Sequence, residues 1–131
     1  MADHFAQVLG FATELGLVIT RQIPEEEILI VDDEERGVQS LVIDCEDEVL
    51  VLEQLIMVLA DGSAPVLRRI LQMNRELVHG AFALDESGSR LLFRDTLALE
   101  HLDLNELEGS INALSLGLAE HGGELLTFAK Q

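Results

Sequence analysis

Tryptophan and tyrosine are absent from these 131 residues, and five phenylalanines are the whole aromatic complement. No flat aromatic platform for stacking a sugar can be built from that set. There is one cysteine, Cys45, so an internal disulfide and a cysteine-rich zinc site are both excluded. It sits in IDCED, where neighbouring carboxylates raise a thiol pKa and blunt its reactivity. Basic side chains are scarce: 8 Lys and Arg stand against 25 Asp and Glu, a formal charge of -17. Such a field repels phosphate, which argues against nucleic acid and against an anionic membrane as partners. No 18-residue run is free of charge, and MADHFAQVLGF has neither the basic region nor the cleavage pattern of a signal peptide. The expected location is therefore the cytoplasm.

Catalytic signatures are missing too. HExxH, GxSxG, GxGxxG and GxxxxGK[ST] do not occur. The four histidines, His4, His79, His101 and His121, have no partner at metal-ligand spacing, and His121 reads as a helix-end histidine favoured by the dipole. A calcium loop starting at Asp44 would need glycine and glutamate where Val49 and Leu55 stand. The acidic runs at 25–27, 32–35 and 44–48 read instead as solvated strand ends that discourage edge-to-edge association. No catalytic residue, no metal and no cofactor is expected, and the chain reads as a non-enzyme.

What is present is greasy for so charged a chain. Hydrophobic residues make up 48% and mean hydropathy is +0.25, enough to fold a single domain over 1–131. The charge is uneven: residues 1–65 carry 15 acidic and two basic side chains, residues 66–131 ten and six.

Residues 3–15 place Phe5, Val8, Leu9, Ala12 and Leu15 on one helical stripe, with Gly16 as the stop. Extended segments are predicted near 17–19, at 28–31 and at 38–44. VLVLEQLIMVL at 49–59 fits a strand or a short helix; strand is favoured by its β-branched residues. Residues 61–63 form a break with Ser63 as cap, and Pro65 is tolerated in the first turn of a helix over 64–77. Residues 80–99 read as a hairpin around the DESGS loop, Gly88 taking positive φ. Asp103 with Glu106 is a capping box for a last helix over 104–121. Gly122 and Gly123 end it, or Leu125, Leu126 and Phe128 continue its stripe, and residues 129–131 fray. The expectation is an α+β fold, an antiparallel sheet flanked by three helices with the helices on one face.

Asn74, beside the apolar stripe of the second helix, is expected to tie that helix to the start of the hairpin near His79 and Gly80. Phe5, Phe11, Met57, Leu59, Phe82 and Phe93, with the helix stripes, exceed what one helix layer must cover. That excess points to a homodimer and to a groove for a partner segment. Phe5, Leu9, Leu29 and Val31 are candidate partner contacts, and Val66, Ile70, Met73 and Leu77 candidates at or near the dimer contact.

The order of LRRILQMNREL and HGAFALDESGSRLLFRDTLALEHLDLNELEGSINAL resembles the small bacterial type III secretion chaperones of the Tir-chaperone type. Asn74, Gly80, the Leu84, Asp85 and Gly88 hairpin, and Leu97 with Leu99 carry the likeness. It implies an acidic cytosolic homodimer that holds an extended segment of a secreted effector by apolar patches and strand pairing. The expected function is thus noncatalytic, chaperone-like binding of a protein client. A regulatory or structural subunit of a cytoplasmic complex is the first alternative, and a small-molecule enzyme with acids assembled only in space the second.

Overall fold

A computed structural model of the chain describes residues 3–60 and 62–130. Asp61, part of the expected break, and Gln131, part of the expected frayed end, lie outside them. In chain order the elements are α1 (His4–Glu14), β1 (Val18–Ile23), β2 (Ile28–Asp33), β3 (Val38–Glu46), β4 (Val49–Val58), α2 (Ala64–Met73), β5 (Ala81–Leu84), β6 (Arg90–Ala98) and α3 (Leu104–Leu126). The sheet order is β1-β2-β3-β4-β6-β5, antiparallel throughout.

Local chemistry accounts for most element ends. Asp3 caps α1 by accepting the Ala6 N–H at 3.0 Å, and the helix closes as Leu17 N–H reaches back to the Ala12 carbonyl across Gly16 at φ +79°. Ser63 stands at the cap of α2, yet its side chain makes no capping bond; only its carbonyl is used, by Leu67 N–H. Asp103 accepts from Glu106 N–H at 2.8 Å while Glu106 accepts from Asp103 N–H at 3.3 Å, the reciprocal box expected for α3.

The ambiguous stretch is a strand. β4 pairs with β3 on one side and β6 on the other, with Leu50, Leu52 and Gln54 buried and Val49 and Leu55 exposed on alternate positions. Gln54 is satisfied inside by accepting from Gln39 N–H and donating to the Gly37 carbonyl.

At the chain's end the structure takes the alternative in which the last helix continues past its two glycines, and the expectation of a frayed tail fails. α3 runs through Gly122 and Gly123 to Leu126, although each glycine costs about 1 kcal/mol in a helix. Leu125 beyond them is fully buried and Glu124 is paired with Arg69, so tertiary contacts outweigh that cost. Ala129 and Lys130 do not fray: Ala129 bridges Leu59 and Lys130 N–H binds the Val58 carbonyl at 2.7 Å.

Among the described residues, all three helices cover one sheet face. Val8 and Ala12 of α1 and Leu107, Ile111 and Leu114 of α3 close over Leu29, Val31, Leu41, Ile43, Leu50, Leu52 and Phe93. A second cluster joins Ile70 and Met73 of α2 to Leu59, Phe82, Leu91 and Leu125. Phe82, Phe93 and Leu59 are thus core, so the apolar excess expected of them is largely absorbed within the chain.

Candidate partner-binding surfaces

The opposite sheet face has no helix on it among the described residues, and its composition is unusual for a wet face. Strand register sets Ile28, Asp44, Val51 and Thr96 side by side in one row, and Ile30, Val42, Glu53 and Arg94 in the next. Leu55 lies opposite Leu92 in the row beyond. Ser40, Val42, Asp44, Val51, Leu55 and Leu92 line a hollow of about 370 Å³ there. Leu55 is 51% exposed, and Glu53 and Arg94 form an ion pair at the centre. Apolar walls with a few polar groups suit an extended segment whose side chains alternate between greasy and polar.

Asp44 is the perturbed group of this hollow. Partial burial first, then the neighbouring carboxylates of Glu46, Glu26 and Glu27, push its carboxyl up to about 6. A folded-state value above the unfolded value of 3.8 means that the folded chain holds this proton more tightly. Stability from this group is therefore greatest at low pH and lost as pH rises from about 4 to 6. Asp44→Asn is expected to stabilise the protein at pH 7 by about 1 kcal/mol or less, after discounting for solvent screening, and to flatten stability between pH 4 and 6. Urea titrations across that range check it; an unchanged slope would overturn it.

A second apolar surface lies where α2 meets β5. Leu67, Leu71, Ala83, Leu84 and Leu91 line a hollow of about 290 Å³, and Leu71 and Val78 are 67% and 76% exposed. The two sheet edges differ. At β5 the Asn74 side chain accepts from Phe82 N–H at 2.7 Å and donates to the Phe82 carbonyl at 3.1 Å, filling the place of a further strand. At β1 no further strand pairs among the described residues.

The residues singled out from sequence are distributed unevenly over these surfaces. Leu29 and Val31 are 1% and 0% exposed beneath the helices, so that expectation is revised: they are occupied within the chain, and their neighbours Ile28 and Ile30 face outward. Phe5 and Leu9 are half-buried against the same core. Ile70 and Met73 point inward, 4% and 0% exposed, with Val66 and Leu77 packed half-buried beside them; Leu71 is what α2 leaves uncovered. Gly80 has φ +71° and touches Phe93 and Arg94 too closely for any side chain. Cys45 is buried, and burial followed by Glu27, Asp44 and Asp3 pushes its thiol up to about 11.

Sequence reading missed Val42, Val51, Leu55 and Leu92. The signal was available in ILIV at 28–31, which is apolar on both faces as only a strand covered on both sides should be.

Comparison with known proteins places this arrangement. The family model CesT_Tir_1 matches residues 1–131. No curated protein matches the sequence. The fold is similar to that of the Yersinia pestis type III secretion chaperone SycH in complex with a stable fragment of YscM2, at 20% identity and TM-score 0.58 over 96% of this chain and 99% of that one. It is also similar to a chain of the HopA1-SchA chaperone-effector complex, at 17% identity and TM-score 0.62 over 88% and 91%. YbjN from E. coli, there proposed as a transcription regulator, shares 14% identity and TM-score 0.71 over 92% of both chains.

Proposed function

The chain belongs to the CesT_Tir_1 family, and from that membership we propose that it is a noncatalytic, cytoplasmic, chaperone-like homodimer that holds an extended segment of a protein partner. The observation that carries this reading is the bare sheet face, where Val42, Val51, Leu55 and Leu92 form an apolar hollow that nothing in the described chain covers. SycH and SchA, whose fold it shares, are found in complexes with a partner fragment and an effector. The client lays alternate side chains into the hollow, and β1 offers backbone groups for strand addition. Phe5 and Leu9 flank the covered side of the sheet and act by supporting it.

The second copy is placed at the α2 and β5 surface, against Leu71, Val78 and Leu84, with Val66 and Leu77 beneath. Asn74 closes the β5 edge, so the dimer forms through side chains rather than one continuous sheet. A charge of -17 keeps an empty groove from self-associating and draws basic clients. No described helix is long and apolar enough to cross a membrane.

Affinity capture from the source cytosol is expected to return a protein that wild type retains and Leu55→Asp loses by at least about tenfold, since a charge would be buried unpaired against the client. Leu55 is exposed, so folding is unaffected. Retention in about 0.5 M salt separates apolar seating from binding through the acidic surface, which is screened at that strength. Equal capture by Leu55→Asp would overturn the site, and a 14.4 kDa species alone in sedimentation at micromolar concentration would overturn the dimer.

A further inference from the structure

His121, on the last third of α3, is out of place for a helix-end residue. Its side chain is only 5% exposed, and its ring stands edge-on to Phe82, centroids 6.3 Å apart and planes at 84°. That contact fixes where the ring points. The buried Nε2 has no hydrogen-bond partner, a state that costs free energy unless something occupies the position. It faces two carboxylates, Glu76 Oε2 at 3.8 Å and Glu120 Oε2 at 3.9 Å. These separations are too long for hydrogen bonds, and the three donor atoms all lie within 4.8 Å of one another.

The geometry points to a divalent metal site formed by His121 Nε2, Glu76 and Glu120, and the donor set selects zinc. One imidazole nitrogen with two carboxylate oxygens is a borderline set that suits Zn²⁺ and its first-row neighbours, whereas Mg²⁺ and Ca²⁺ want oxygen alone. Zinc bonds of about 2.0–2.2 Å set tetrahedral donors roughly 3.4 Å apart, so each carboxylate oxygen must close on Nε2 by about half an ångström and the two carboxylates on each other by up to about 1.4 Å. Both carboxylates are 56% exposed and free to swing, while the imidazole is held. Their exposed ends also give the ion its entry and leave a position for water.

Two cations share a hollow with Glu76, and one of them is already engaged. Arg69 lies beside Glu76 along a shared hollow, but Glu124 binds its guanidinium through two hydrogen bonds of 2.8 and 3.0 Å. Arg75 shares that hollow and is the charge the ion must outcompete for Glu76. Glu76 belongs to the 3-10 turn Asn74–Glu76 at the end of α2, and Glu120 and His121 to α3. A metal ion would clip the two helices together beside Asn74 and Phe82, stiffening the apolar surface of α2 and β5.

The test uses the full chain, stripped with chelator and titrated with ZnCl₂ against a chromophoric competitor. A single equivalent binding at micromolar or tighter Kd is expected, with Glu76→Gln and Glu120→Gln each weakening it by about tenfold or more. Glu25→Gln, in the acidic run between β1 and β2 at the far edge of the sheet, leaves it unchanged, and millimolar Mg²⁺ does not displace it. Zinc is expected to shift the His121 ring ¹⁵N resonance and to raise Tm by a few degrees, about the linkage gain at saturating metal. Several weak equivalents, displacement by Mg²⁺, or an affinity untouched by Glu76→Gln would overturn the site. The Glu variants alter exposed side chains, so a loss of binding is not a loss of fold.

Discussion

Replacing Gly80 with alanine is expected to cost about 3 kcal/mol and to lower Tm by about 10 °C, because an added Cβ there would make the closest approach of any glycine position in the chain. Two terms combine. Gly80 sits at φ +71°, where a side chain costs about 1–2 kcal/mol. A Cβ built there would lie 2.6 Å from Phe93 Cζ, 3.0 Å from Cε2 and 2.9 Å from the Arg94 carbonyl. Phe93 is 1% exposed at the centre of the core and the carbonyl belongs to β6, so neither can retreat without moving the hairpin. Gly88 separates the terms, because it has φ +76° and nothing within 4 Å of a new Cβ. Gly88→Ala should lose only about 1–2 kcal/mol. Denaturant titration of both variants checks this, and equal losses would show that the close approach at Gly80 does not matter.

Asn74→Ala is expected to lose about 2–3 kcal/mol, since it removes two hydrogen bonds and leaves both backbone groups of Phe82 without partners at a half-buried edge. Asn74→Asp is nearly as harmful: it retains the acceptor for Phe82 N–H but sets an oxygen against the Phe82 carbonyl. The Phe82 amide reports directly, and its hydrogen exchange should rise to the rate of local opening in both variants while amides of β3 and β4 stay protected. Protection retained at Phe82 in Asn74→Ala would overturn the account. Opening this edge also uncovers a strand beside Leu71 and Leu84, so concentration-dependent association should increase.

These two positions show how far sequence alone reaches. Asn74 was legible as a link because an amide beside an apolar stripe needs a partner nearby in the chain, and Gly80 because a turn glycine before a strand is a short-range signal. Phe93 as the reason for Gly80 was not legible, for the contact is made across the hairpin. The capping box at Asp103 and Glu106 and the loop glycine at Gly88 were read from spacing alone, since both depend on neighbours within a few residues.

The candidate site was read less well, for a specific reason. In ILIV at 28–31 both alternating sets are apolar, and nothing local says which set the helices cover. Leu29 and Val31 went under α1 and α3, leaving Ile28 and Ile30 outside with Val42 and Val51. Likewise the sequence left open whether Gly122 and Gly123 stop the last helix, and the buried place of Leu125 decided that they do not.

Periodicity, caps and turn residues, all short-range properties of the chain, determined here an α+β domain with three helices and an antiparallel sheet. Tertiary structure alone decided which sheet face stays bare, that β6 lies inside β5 with Asn74 closing the edge, and that Glu76 and Glu120 converge on a buried His121. Those outcomes depend on contacts between residues far apart in sequence, whose free energy exists only once the sheet order is set.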